Sequence, residues 1–231
     1  AEAATEHELK AGTTFGQVLQ LYVFDRTLRI LVMEAIERIE VSLRTNWANA
    51  ITLEANDAHA YMNATLFRDP WKHQQNLAKA AGRLKGSKET FIQHYKSTYQ
   101  QPFMPPTWAM AETLTFGELS QWFENTEGIE LKKAIIKELG FPPAAEVAES
   151  VLQCLALIRN ICAHHGRLWN RKLVKQLPHI KRLAKHMVFD DVETKSGVQR
   201  QTSRKLFNYL IVINHIMKAV QPTTRWSQRL D

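Results

Sequence analysis

Residues 21–47 read LYVFDRTLRILVMEAIERIEVSLRTNW, and the spacing of their apolar side chains decides the fold class. Val18, Leu21, Tyr22, Leu28, Leu31, Val32, Ala35, Ile36, Ile39, Leu43 and Trp47 recur mostly at steps of three and four. That is the period of one helical face, not the alternation of a strand. The stretch predicts an amphipathic helix from Phe15 to Ile51, broken once near Phe24–Asp25. Glu34 with Arg38, and Glu40 with Arg44, stand at i,i+4 with the acid first. Each pair adds a few tenths of a kcal/mol to the helix (roughly 0.2–0.5) and marks no site.

The same period continues along the chain. A second helix is expected from about His73 to Tyr99, with a break at Gly86-Ser87. The run Gln101-Pro102-Phe103-Met104-Pro105-Pro106-Thr107 is not helix interior, because proline removes a donor and fixes φ. Thr107 reads as the N-cap of a helix from Trp108, interrupted at Gly117. Another helix runs from about Glu127 to Leu139 and stops at Gly140-Phe141-Pro142-Pro143. The next begins near Ala144 and carries Val147, Val151, Leu152, Leu155, Ile158, Ile161 and Cys162. Residues 190–200 are polar and read as a loop, and Ser203 to Val220 as a final helix. No strand alternation, repeat or interdomain linker is evident. The expectation is an all-α bundle, with a tail at 1–14 and one domain over 15–231.

Composition agrees with a packed protein. Apolar residues make up 45% of the chain and charged residues 23%, which excludes a disordered polyelectrolyte. Lys+Arg 30 against Asp+Glu 23 gives +7, a sign that favours polyanionic partners. Cys154 and Cys162, eight residues apart, do not bridge easily on a helix and read as small core residues in a reducing compartment. No apolar run is long enough for a membrane span, and no secretory leader is evident, so a cytoplasmic location is expected. The chain opens on Ala1, as a trimmed or tagged chain does.

The chemistry concentrates in Arg159-Asn160-Ile161-Cys162-Ala163-His164-His165-Gly166-Arg167-Leu168-Trp169-Asn170-Arg171. Asn160 and His164 are four apart and stack on one helical face; Arg159 lies about one hundred degrees round the axis. A helix continuing past Gly166 would extend that face through Arg167 and Arg171. Imidazole titrates near pH 6.5 in general and can take or give a proton at neutrality. A guanidinium forks onto phosphate oxygens and steadies charge in a transition state. These are the groups needed to drive a ribose 2′-hydroxyl onto its neighbouring phosphate without a metal or cofactor. His164-His165 makes a poor metal pair, since adjacent helical residues diverge and no Cys or carboxylate sits nearby at ligand spacing. Trp169 reads as core rather than as a stacking platform. The run Arg171-Lys172, Lys175, Lys181-Arg182 and Lys185 reads as a solvated face compatible with an RNA track.

Arg159 to His164 has the R-x4-H form of the HEPN (higher eukaryotes and prokaryotes nucleotide-binding) ribonuclease motif. The string R-N-I-C-A-H-H-G-R-L-W-N-R from Arg159 to Arg171 resembles the signature of the Abi-like (AbiD/AbiF type) abortive-infection proteins of bacteria. Further likeness lies in Phe24–Arg29, Ala35–Val41, Leu43–Thr45, Thr115–Ser120 and Trp108 after Pro-Pro-Thr, so it spans roughly Phe24 to Trp226. The resemblance implies a HEPN-type helical bundle with family-specific extra helices. It implies a metal-independent endoribonuclease of phage defence or of a toxin–antitoxin system, in some members restrained by a small RNA. Arg159 and His164 would be catalytic and Asn160 would orient them; His165, Arg167, Arg171, Lys172 and Lys175 would bind RNA. With one R-x4-H per chain, the resemblance implies a homodimer with a composite cleft. It also implies an N-terminal stretch ahead of Phe15 that this sequence lacks.

Two other classes remain open from the residues themselves. One is a non-catalytic RNA-binding module in which Arg159, Arg167 and Arg171 grip phosphate. The other is a helical interaction module that senses a phage component, marked by a large exposed apolar patch away from the basic stripe.

Overall fold

The computed structural model describes residues 12–141, 144–194 and 197–230. Eight α-helices make up most of these residues: α1 Phe15–Ala55, α2 Pro70–Gly86, α3 Thr90–Thr98, α4 Thr107–Glu112, α5 Phe116–Asn125, α6 Ile129–Lys137, α7 Ala145–Ala163 and α8 Leu206–Val220. The all-α expectation holds, with one small addition. Strands β1 (Phe189–Thr194) and β2 (Gly197–Thr202) pair antiparallel, Phe189 opposite Thr202 and Thr194 opposite Gly197. This replaces the loop expected over 190–200. Their residues are mostly polar and solvated, so no in-and-out apolar alternation marks them.

α1 is the axis of the molecule and packs against α4, α6, α7 and α8. It is not broken at Phe24–Asp25, and its 41 residues run roughly 60 Å at 1.5 Å per residue. A capping box starts it: Gln17 N–H donates to Thr14 Oγ1, and Thr14 N–H to Gln17 Oε1. The tail expected at 1–14 falls, for residues 1–11, outside the described residues. From Leu28 onward the apolar stripe of α1 is buried, whereas Phe15 to Val23 are exposed.

Local chemistry places the other ends. Asp69 caps α2 by accepting from Lys72 N–H at 3.0 Å, with Pro70 opening the helix. α2 and α3 are separate helices, divided at Ser87–Glu89. Thr107 is the first residue of α4 rather than its cap, because its N–H and hydroxyl both turn back to Ala58 O, at 2.7 and 2.9 Å. The interruption expected at Gly117 lies just before it, where Thr115 and Glu118 close a capping box that opens α5. α8 begins three residues later than the sequence suggests. Ser203 N–H bonds Val188 O instead, and the buried Asn208 amide ties Val188 and Ser203 together at 2.8–2.9 Å. That clasp fixes the hairpin to α8.

Trp47, Tyr61, Phe67, His73 and Trp122 form an aromatic centre between α1, α2 and α5. Trp47 Nε1 donates to Thr126 Oγ1 at 3.1 Å, Tyr61 OH to Pro105 O at 2.9 Å, and His73 Nε2 bonds Tyr61 O at 2.8 Å, while the buried His73 Nδ1 has no hydrogen-bond partner among the described residues. No helix among the described residues is long and apolar enough to cross a membrane. Cys154 and Cys162 are free and buried, and burial pushes their thiols up to about 11 and about 12 respectively.

Candidate active site

α7 buries Val151, Leu152, Leu155, Ile158 and Cys162 and carries the R-x4-H residues on its last turns. Arg159 is half-buried, while Asn160, His164 and His165 are exposed. The helix stops at Ala163. His165 N–H bonds Cys162 O at 3.1 Å, Gly166 N–H bonds Ile161 O at 2.8 Å, and His165 takes φ +56°. This is the paired hydrogen-bond pattern of a Schellman ending. Gly166 suits its place, because a Cβ there would lie 3.2 Å from Ile161 O and 3.3 Å from Ile161 Cγ2.

The face of Asn160, His164, Arg167 and Arg171 is therefore not one helical stripe. Only Asn160 and His164 share it, joined by His164 N–H to Asn160 O at 3.0 Å. The chain leaves the axis at His165, and α1 captures it. Leu168 and Trp169 N–H donate to Asp25 Oδ1 at 2.9 and 2.6 Å, and Asp25 Oδ2 accepts from Arg29. Asp25 and Arg29 are both buried. One carboxylate thus holds the segment after the motif against α1. Arg171 folds back so that Nη1 donates to Arg167 O at 3.3 Å.

A histidine in the left-handed region costs on the order of 1 kcal/mol relative to glycine. His165→Gly is expected to raise stability by about 0.5–1 kcal/mol in urea denaturation. An unchanged or lowered midpoint would show that the imidazole makes contacts that repay its backbone strain.

Arg159 and Asn160 look toward different neighbours. Asn160 lines a shallow groove of about 400 Å³ between α5 and α7, shared with Lys72, Gln121, Glu124, Gln153 and Lys175. Lys175 Nζ donates to Gln153 Oε1 at 2.8 Å, beside it. Arg159 lies near Glu40 of α1. Burial raises the Glu40 carboxyl above its ordinary value, and Arg44 and Arg159 oppose that rise. Arg44 donates to Glu40 Oε1 at 2.7 Å and to Glu112 Oε2 at 3.2 Å. Glu40 is thus the acidic neighbour of the motif arginine, although its pairing with Arg44 reads in the sequence as simple helix support. Among the described residues, no hydrogen bond joins the Asn160 side chain to Arg159 or His164.

Sequence reasoning missed Asp25 and Arg29. The signal was there: both lie on the stripe that continues through Val32 and Ile36, so a charged pair sits on the face that packs. Trp169 also departs from expectation. It is not core but 44% exposed, its ring set edge-on to Phe24 at 5.1 Å. Arg167, Lys172 and Lys175 are exposed, as an anion-binding face requires.

The profile of the Abi-like protein family matches residues 2–170, nearly three quarters of the sequence. The chain belongs to the Abi-like protein family. No curated protein and no solved structure matches it. Membership associates this Abi-like protein with abortive infection, a defence role. The match takes in α1 to α7, the motif from Arg159 to His164 and both ends of the Asp25 clamp. The hairpin and α8 lie beyond it.

Proposed function

We propose that this Abi-like protein is a HEPN-type endoribonuclease of abortive infection or of a toxin–antitoxin pair, working as a homodimer without a metal or cofactor. The observation that carries the reading is the exposed imidazole of His164 on a hydrogen-bonded helix ending, with the half-buried guanidinium of Arg159 on the same final turns. Charge supports it. Residues 150–189 hold eight Lys and Arg and no Asp or Glu, a surplus larger than the +7 of the whole chain. Residues 194–230 add seven more Lys and Arg and again no Asp or Glu, so the motif lies within a basic C-terminal part of the chain.

In this mechanism His164 of one protomer removes the proton of a ribose 2′-hydroxyl. The oxygen attacks the adjacent phosphorus, and Arg159 steadies the added negative charge. The bond to the 5′-oxygen breaks, and the second copy's imidazole supplies the proton that oxygen takes. The products are a 2′,3′-cyclic phosphate and a 5′-hydroxyl. Asn160 aligns the RNA beside His164, and His165, Arg167, Arg171, Lys172 and Lys175 hold its phosphates. A small RNA that restrains the enzyme would occupy the same cationic surface.

The homodimer draws support from α1. Phe15, Val18, Leu19, Leu21, Tyr22 and Val23 are all exposed, close to half or more of each surface. Leu21, Tyr22 and Val23 are consecutive and face different sides of the helix, so these turns offer an apolar rod for a second copy to pack around. The same patch favours a second reading, a helical sensor of a phage protein, with the apolar turns as its docking face.

The deciding assay incubates the purified protein with single-stranded RNA in EDTA and analyses the ends by mass spectrometry, with sedimentation of the same sample. Cyclic phosphate ends from a sedimenting dimer are expected. Intact RNA beside a monomer would move the assignment to the sensor; ends bearing 3′-hydroxyl would remove the proposed chemistry.

A further inference from the structure

A cavity roomier than the shallow groove at Asn160 lies beside the segment that follows the motif. A cleft of about 650 Å³ opens between α1 and the start of α8, with Trp169 and Arg171 of the post-motif segment on one side. Such a volume suits a small organic ligand or one unit of a polymer (roughly 300–1,000 Å³).

Its lining has two parts. Phe24, Trp169 and Phe207 present aromatic rings that are 48%, 44% and 54% exposed, over an aliphatic floor. Arg171, Lys172, Arg204 and Lys205 form a cationic lip. The backbone gathers that lip: Lys172 and Lys205 face each other in an antiparallel bridge, and Leu173 N–H donates to Arg204 O at 3.0 Å. Asp190 is the one carboxylate on the lining, and Arg229, also there, is engaged by Glu34 at 2.6 Å. Among the described residues Lys172, Arg204 and Lys205 form no ion pair. Holding four cations together against one acid is unfavourable without an anion to relieve it. Leaving three aromatic rings in water is unfavourable without a flat apolar partner.

We infer that this cleft is a nucleotide subsite: its rings take one unstacked base, and its cationic lip takes that nucleotide's phosphate. Aromatic side chains that stack a base beside cations that track the backbone are the means by which single strands are held. The motif residues do not line the cleft, but the chain joins the two: the Asp25 clamp seats Trp169, on the cleft wall, only five residues after His164. It anchors a nucleotide other than the scissile one, in RNA of the proposed substrate class. The subsite rests on the RNA reading for the source of its nucleotide and not for its chemistry. The whole lip and Phe207 come from residues beyond 170, outside the family match.

The test measures binding in a His164→Ala background, so that cutting plays no part. The probes are fluorescein-labelled octa-adenylate and an abasic octamer of the same length, read by anisotropy, with AMP as competitor. Phe207→Ala is expected to weaken octa-adenylate binding about tenfold and leave the abasic octamer unaffected. Lys205→Glu is expected to weaken both. Both residues are exposed, and circular dichroism of each variant checks that the fold persists. Competition by AMP would assign the cleft to free nucleotides as well as to RNA, and absence of competition to nucleotides within a chain; either agrees with the subsite. Octa-adenylate binding that ignores Phe207→Ala, or an equal loss on the abasic octamer, would overturn it. Tight octamer binding without cleavage by the unsubstituted protein would sink the nuclease reading alone.

Discussion

His164→Ala is expected to slow RNA scission by about 10²–10⁴-fold, the usual value of a positioned proton-transfer group. The fold should be untouched. The His164 side chain is exposed, and only its backbone N–H takes part in the helix ending, through Asn160 O. The substitution keeps that N–H, so circular dichroism and the thermal midpoint should match the parent. Arg159→Ala should cost about 10²–10³-fold through lost charge stabilisation, with a larger side effect on stability because Arg159 offsets the burial of Glu40. Mixing the two inactive variants tests the composite cleft. Mixed dimers that regain a measurable fraction of activity place the working groups on both subunits. Full activity in His164→Ala alone would end the nuclease assignment.

Asp25→Ala should produce the largest loss of stability, about 3–5 kcal/mol, the range for removing one partner of a buried ion pair. Three donors depend on that carboxylate: Arg29 and the N–H groups of Leu168 and Trp169. Arg29 would be left charged and unpaired in the packed face of α1. For a chain of this size the thermal midpoint should fall by roughly 10 °C. Arg29→Met should be destabilising too, since it strands Asp25. The double variant Asp25→Ala with Arg29→Met should lose less than the two single losses combined, because no lone charge remains inside. Additive losses would show that the pair acts only through the Leu168 and Trp169 amides.

The two effects bear on how far the chain could be read in advance. The helices were legible because most carry a buried stripe at the helical period. Breaks at Gly86-Ser87 and Gly140 follow from residues that favour ending a helix. β1 and β2 were not legible, because Val192 and Val198 face solvent and the strands pair only with each other. The positions of Arg159 and His164 on α7 were legible as a motif, but the course of the chain after His164 was not. His165 ends the helix in a left-handed conformation that glycine favours, and the decisive partner, Asp25, lies more than a hundred residues away. The Phe207 wall of the cleft had no local signal at all, since it comes to share a cleft with Trp169 only through the fold.

α1 passes without interruption from its uncovered first turns, through Asp25, to Glu40 beside the motif arginine. A rod of hydrogen-bonded turns does not absorb an axial push. A push on its free end is passed along the helix toward both anchorages, so whatever grasps those leading turns also bears on the placement of Arg159 and of the segment after His164.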